Sequence, residues 1–390
     1  LEVSLAENTA VRQTRRKTLK LIKLQEQLTG YLFILPALII ILIFGIFPIG
    51  YSIYMSLFNW QVTKGPFIGD KNYLLIFGSW WNLLVLLAGL GLIILGSIVW
   101  GKGFQSLSNG QKLAHIAGSL VLILGGVIFV TGWGMMYETG NKDFLNSLIV
   151  TVYYALGTVP AEIILGLVLA YILYQDIVGK EAFRIIYFLP YITPSISTAV
   201  VFQIIFSSRE TSLANSLIGF FGIDPLKWRF EPRPVLKLLG FNVSGLAGGP
   251  SLALVTIIIF GIWSFVGYNT VIFLSGLGNI PKEIYEAAEI DGGSKWDRFW
   301  HITIPMISPV TFYLTLIGFI GTFKAFNHLY VMRTPSAQNT VITTSLLVFD
   351  RFYKANQYGV ATAQAIVLFI VILGLTLAQN KIMGERVFYG

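Results

Sequence analysis

The chain has no cysteine among its 390 residues, which excludes disulfides, thiol nucleophiles and cysteine-based metal sites. Histidine is scarce as well. His115, His301 and His328 are scattered along the sequence, which speaks against a shared metal site. No Gly-x-x-x-x-Gly-Lys-Ser/Thr loop occurs, so any ATP in this system is bound by another chain. Paired acids and metal-binding clusters are missing from the edges of the apolar runs, which argues against a membrane enzyme such as a lipid-linked glycosyltransferase. The last deficit is charge: 12% of the residues are charged, against roughly 25% in soluble domains.

What replaces charge is long hydrophobic runs. The chain is 55% hydrophobic and carries many stretches long enough to cross a bilayer, so it reads as an all-α, multispanning membrane protein. Eight spans are expected: Tyr31–Phe58, Trp80–Trp100, His115–Tyr137, Leu145–Tyr174, Arg184–Phe206, Leu252–Leu277, Pro305–Asn327 and Gly359–Ala378. Pro36 and Pro48 are placed near the ends of the first, where a proline bends a helix at least cost. The net charge of +8 could suggest nucleic acid, but the basic tail at Arg12–Lys23 lacks aromatics for stacking, and basic loops on one membrane side explain the excess. Eight spans leave both termini on one side. With the tail and the loop after Gly278, that side holds fifteen Lys and Arg against eleven opposite, Lys324 being counted with its span. The termini and that loop are therefore expected in the cytoplasm. The tail is expected to form an interfacial helix over Leu19–Leu28, and no cleavable signal peptide is visible.

The polar stretch after the sixth span has a clear local grammar. Pro281 suits the first turn of a helix, and Ile284, Ala287 and Ala288 share one face at helical spacing. Asp291-Gly292-Gly293 stops that helix. Ser294 and Asp297 form a capping-box variant that starts a second one. The product is a helix–turn–helix elbow beside the membrane. Its small alanines allow another surface to approach closely. The plainer alternative is an amphipathic connector between two spans.

Glu286-Ala287-Ala288, three residues, Gly292, nine residues and Ile302-x-Ile304-Pro305 resemble the EAA loop of ABC importer permeases, with Gly293 standing where that family usually has alanine. The resemblance implies that Glu286, Ala287, Ala288, Asp291, Gly292, Ile302 and Pro305 form a coupling helix seated in a cytoplasmic ATPase. Tyr31-Leu32-Phe33-Ile34-Leu35-Pro36, Asp143-Phe144-Leu145-Asn146-Ser147 and Tyr358-Gly359-Val360-Ala361 extend it to sugar permeases of the maltodextrin and glycerol-phosphate type. That implies the type I importer permease fold, a six-helix core region plus an inserted hairpin. The chain then divides into a tail (1–30), a first span with its outer loop (31–79), the inserted hairpin (80–142) and the permease core (143–390), with the coupling loop at 280–305. The implied partners are a second permease, two cytoplasmic ATPase subunits that bind ATP and magnesium, an extracytoplasmic sugar-binding protein, the sugar and membrane lipid. No cofactor is expected in this chain, and no nucleic acid.

A polar group within a bilayer is costly unless it faces a cavity or a partner. Tyr191, Thr193, Ser195, Ser197 and Gln203 on the fifth span, Trp263, Ser264, Tyr268 and Asn269 on the sixth, and Thr315, Thr322 and Asn327 on the seventh supply aromatic faces and hydroxyl or amide groups of the kind a sugar needs. The prolines Pro190 and Pro194 break the fifth helix and free carbonyls to line a cavity. The resemblance implies substrate contact at Tyr191, Ser195 and Tyr268, and Ser264 and Asn269 join them as candidates. Gly261, Phe265, Ile317 and Gly321 depart from the family's pocket pattern. The alternative is that these hydroxyls bond back to their own helices and the aromatics simply pack. Glu162, an acid deep in the fourth span, admits two readings: a buried structural hydrogen-bond partner, or a proton relay in an ion-gradient-driven transporter.

Overall fold

The computed structural model describes residues 23, 25–102, 109–175, 178–243, 248–384 and 387. The start of the expected tail helix, before Lys23, lies outside them. Six described helices are long and apolar enough to cross a membrane, and two bent helix pairs raise the number to eight. These are α1 (Gln25–Ser56), α3 (Trp80–Lys102), α4 (Asn109–Thr139), α5 (Lys142–Tyr174), the pair α6 (Lys180–Ile192) and α7 (Ser195–Ile205), α9 (Leu252–Gly278), the pair α11 (Lys295–Met306) and α12 (Ser308–Phe323), and α15 (Tyr358–Gly384). Shorter helices fill the ends: α2 (Lys71–Phe77), α8 (Leu213–Gly219), α10 (Lys282–Ile290), α13 (Asn327–Met332) and α14 (Thr344–Phe349).

The helix starts follow side-chain chemistry. Asn141 caps α5 by accepting from the Phe144 N–H at 2.9 Å, and Ser251 caps α9 by accepting from Leu254 at 3.1 Å. The breaks follow proline. Thr193 is extended (φ −69°, ψ 138°) because Pro194 follows it, and α6 and α7 meet there at 97°. Pro190 does not break the chain; it sits inside α6. In the second pair Pro309 has no N–H to offer the Pro305 carbonyl four residues back, and the chain bends by 59° at Ile307.

Three expectations change. The first span begins earlier than Tyr31, so Pro36 and Pro48 lie inside α1, and a π-helical turn over Leu42–Ile46 precedes Pro48. That span also stops before Phe58, which enters a two-stranded antiparallel ribbon, β1 (Phe58–Trp60) with β2 (Lys64–Phe67). The seventh span is bent, with Pro305 in α11 before the 59° bend, and α12 ends at Phe323, short of Asn327.

The core lies where α9 runs along α5, with α12 closing on α5 from the side. Helix α6 crosses α9 at Gly267, where a Cβ would collide with the Tyr187 carbonyl, so only glycine permits that crossing. The hairpin α3–α4 packs mostly on itself, glycine against backbone at Gly89, Gly96, Gly118, Gly125 and Gly132. It is pinned to the body at one end, where Asn82 donates to Thr139 Oγ1 (2.9 Å) and the Phe77 carbonyl (3.1 Å). Phe77, Met136 and Phe144 pack in a shared cluster there.

The described residues between α7 and α9 form a cap over one end of the bundle. Asn215 is its hub: its amide donates to the carbonyls of Arg209 and Leu226, while its oxygen accepts from the Leu226 N–H and from Trp228 Nε1 at 2.6 Å. The segment after α13 joins this cap, with Thr334 donating to the Arg229 carbonyl at 2.9 Å. Asp350 binds both Arg333 (2.7 Å) and Lys354 (3.0 Å). Because Asn215 is buried, Asn215→Ala strands several buried groups together. The expected effect is a drop of about 1–3 kcal/mol in the local opening free energy of the cap. Hydrogen exchange at the Leu226 amide and the Trp228 indole N–H measures it.

A central cavity and an exposed elbow

Polar groups that would be costly against lipid converge on one cavity of about 330 Å³ between α5, the α6–α7 bend, α9 and α12. The bend contributes Tyr191, Thr193 and Ser195, and α9 contributes Ser264, Phe265, Tyr268 and Asn269. Tyr191 stacks on Tyr268 (centroids 4.8 Å apart, 26° between planes) and meets Phe265 edge-on at 5.8 Å. Tyr313 lies beside Tyr268. Thr322, Asn327 and His328 close the cavity beyond α12.

All five sequence candidates, Tyr191, Ser195, Ser264, Tyr268 and Asn269, line this cavity, as do Thr193, Thr322 and Asn327. Ser197, Gln203, Trp263 and Thr315 do not. Gln203 donates to the Val331 carbonyl, Trp263 packs on Phe202, and Thr315 bonds back to the Thr311 carbonyl. Of the departures from the family pattern, Phe265, Ile317 and Gly321 do face the cavity. Gly261 instead abuts Tyr154 and Thr158, which leave no space for a side chain.

Two lining residues escape the sequence reading. Tyr154 Oη and His328 Nε2 lie 2.7 Å apart, and His328 stacks on Phe260 at 5.0 Å. Burial pushes the His328 imidazole below the ordinary histidine value, so it stays neutral. Tyr154 could have been found: it stands eight residues before Glu162, about two helical turns, on the same face of α5. His328 carries no local signal. Glu162 itself is 4% exposed and lines the cavity with Asn269 beside it.

The elbow lies at the opposite end of α9 from the cap. Pro281 precedes α10 as its cap residue rather than standing in its first turn. The Gly293 N–H closes the helix on the Ala288 carbonyl at 2.8 Å. Gly292 has φ +82°, a backbone that glycine adopts without strain. A Cβ at Gly293 would stand 2.8 Å from the Ala288 carbonyl oxygen, which keeps this turn tight. Ser294 and Asp297 complete the capping box, and the hydrogen bonds from Ser294 hold the Asp297 carboxyl below its usual value.

The elbow is braced internally by Arg298 on Glu289 (2.7 Å) and by Tyr285 with Thr303 (2.9 Å). It is joined to the bundle through Phe299 edge-on to Tyr171 of α5, at 5.0 Å. None of the α10 side chains is buried. Ile290 (86% exposed) and Trp296 (70%) stand out from the elbow, and Glu286 and Ala287 are exposed too. Ile302 and Pro305 lie farther along the second arm, partly buried towards the bundle. Exposed tryptophan and isoleucine beside small alanines make a surface shaped for a partner.

Residues 162–388 match the family described as binding-protein-dependent transport system inner membrane component. The arabinooligosaccharides transport system permease protein AraP of Bacillus subtilis (strain 168) is 32% identical over 265 residues, covering 67% of this chain and 79% of that protein. The trehalose/maltose transport system permease protein MalF of Thermococcus litoralis is 26% identical over 364 residues, 93% of this chain and 95% of that one. The lactose transport system permease protein LacF of Rhizobium radiobacter is 32% identical over 281 residues, covering 67% and 85%. Among solved structures, a bacterial alginate ABC transporter in complex with a pentasaccharide-bound periplasmic protein matches with a TM-score of 0.51 at 20% identity, over 70% of this chain and 94% of the matched one. That likeness carries the fold. None of these matches supports the ion-gradient transporter that Glu162 had suggested. The protein is a multispanning membrane component of a binding-protein-dependent ABC transport system and belongs to the family whose members are the inner membrane components of such systems.

Proposed function

We propose that this chain is one of two permease subunits of an ATP-driven importer for oligosaccharides or disaccharides. The observation that carries the reading is a shared helix. Ser264, Tyr268 and Asn269 face the cavity from α9, and α9 ends at Gly278, only three residues before the elbow begins at Pro281. From Asn269 to Gly278 the helix rises about 14 Å. A displacement of the elbow therefore moves one wall of the cavity directly.

The stroke is supplied by two cytoplasmic ATPases that bind ATP and magnesium. Their cleft takes the exposed face of Glu286–Gly292. Closure of the ATPases shifts the elbow, the bundle rocks, and the cavity changes the side it faces. The excess of basic residues on the elbow side favours placing both termini and the elbow in the cytoplasm. The cap over 207–250, tied to the segment Arg333–Tyr358, then faces outward and receives the sugar-loaded binding protein. The hairpin over 80–142 is an inserted pair of spans beside the core, which occupies 143–390.

A carbohydrate suits the cavity's chemistry. Stacked Tyr191 and Tyr268 offer a face to sugar C–H groups, while Ser195, Ser264 and Asn269 offer hydrogen bonds to hydroxyls. The similar permeases named for arabinooligosaccharides, trehalose and maltose, and lactose favour the same class of cargo.

Two experiments test this reading in the complete transporter. Proline cannot adopt the φ of Gly292, so Gly292→Pro reshapes the elbow. Membrane insertion and assembly are expected to persist while ATP-driven uptake into proteoliposomes is lost, and likewise for Glu286→Ala. Uptake by Gly292→Pro at the normal rate would defeat the coupling. The second experiment uses the natural lack of cysteine. A water-soluble, charged thiol reagent is expected to label Ser195→Cys and Asn327→Cys faster than Ser197→Cys and Thr315→Cys, because thiolate formation needs water. Equal labelling of all four, read by mass, would mean that the cavity is not the aqueous pathway.

A further inference from the structure

The buried acid of α5 carries a carboxyl oxygen that no described protein group meets. Asn269 of α9 lies beside the Glu162 carboxyl on the same cavity wall. Glu162 Oε1 is buried and has no hydrogen-bond partner among the described residues. Leaving such an atom unsatisfied is costly. A residue serving only as a strut between two helices has no use for an unmet buried oxygen. Glu162 nonetheless reaches the cavity wall, on the helix face that also carries Tyr154.

The remaining chemistry of the wall sharpens the point. Among the described residues, no lysine or arginine lines the cavity. His328 is neutral and its Nε2 is engaged by Tyr154. An anionic ligand placed here would meet no opposite charge, and an unpaired buried anion is strongly disfavoured. A neutral ligand rich in hydroxyl donors meets the reverse situation, an acceptor already desolvated and waiting.

We infer that Glu162 is a specificity-determining residue of the cavity, taking a hydrogen bond from a saccharide hydroxyl on Oε1, so that the site accepts neutral saccharides and rejects acidic ones such as uronates. This rests on the reading of the cavity as a saccharide site. It assigns to α5 a share in recognition that the α6–α7 bend and α9 leave open. It also gives the acid a purpose that involves no proton transport.

The test reads binding on this chain within the assembled transporter, without a binding protein that would impose its own selectivity. Asn327→Cys, at the cavity mouth in a chain without other cysteines, is treated with a thiol reagent, and its labelling is followed by mass. The competing probes at millimolar concentration are maltotriose, arabinotriose and lactose as neutral saccharides, with trigalacturonate as the acidic one. At least one neutral probe is expected to protect the cysteine, and trigalacturonate is not. Adding Glu162→Leu should raise the half-protection concentration of the neutral probe roughly tenfold or more, the worth of one buried hydrogen bond. Glu162→Gln keeps an acceptor oxygen and should retain most of the protection. Labelling without saccharide should be the same in all three backgrounds, which distinguishes lost recognition from a collapsed cavity. Changed labelling without saccharide in Glu162→Leu would make the residue a structural strut and overturn the inference. Equal protection by trigalacturonate, or protection unchanged in Glu162→Leu, overturns it while leaving the saccharide cavity standing. Protection by none of the probes overturns the saccharide cavity itself, and the inference with it.

Discussion

Hydrocarbon offers no hydrogen bonds, and that one fact governs where this chain can break. Every backbone group in the bilayer must be satisfied within the protein, so a helix can be interrupted only where other protein or a wet cavity takes over. Both bent pairs obey this. The break at Thr193–Pro194 opens onto the cavity, and the bend at Ile307 lies against the core formed by α5 and α9. Proline supplies the interruption in each case, through the extended conformation it imposes on Thr193 and through the N–H that Pro309 lacks.

The polar residues of the core region follow the same constraint. Hydroxyls that face neither cavity nor partner are consumed locally, as when Thr315 and Thr376 return their hydrogen bonds to carbonyls four residues earlier. Those that converge do so where helices separate. The cavity is thus a region where helix packing stops and side chains of tyrosine, serine and asparagine replace it. Its walls are held by features some distance away. The glycine crossing at Gly267 brings α6 against α9, and that contact sets where Tyr191 meets Tyr268.

The two ends of α9 have opposite characters. At the cap end, Asn215 and the Arg333–Asp350–Lys354 cluster tie loops into a firm surface. The elbow end carries a stiff turn on exposed apolar side chains, with bracing by Arg298 and Tyr285 but no buried residue in α10. The elbow is thus attached to α9 and α5 and uncovered on its outer face.

Much of this was legible in the sequence because it depends on local rules. Apolar run length marked the spans. The cap residues Ser294 and Asp297, the stop at Gly292 and the EAA pattern described the elbow before any coordinates, and the polar residues scattered along three spans included all five cavity candidates. What local rules could not decide was which polar groups face one another. Periodicity places Tyr154 and Glu162 on one face of α5 but does not say what that face meets, and nothing near His328 announces that it will close the same cavity. Gln203 and Trp263 looked as suitable as Ser264 until packing turned them elsewhere. Spans and turns are settled by each segment's own hydrogen bonding and burial. The cavity is settled by the angles at which separate helices cross, and those come from contacts between residues distant in the chain.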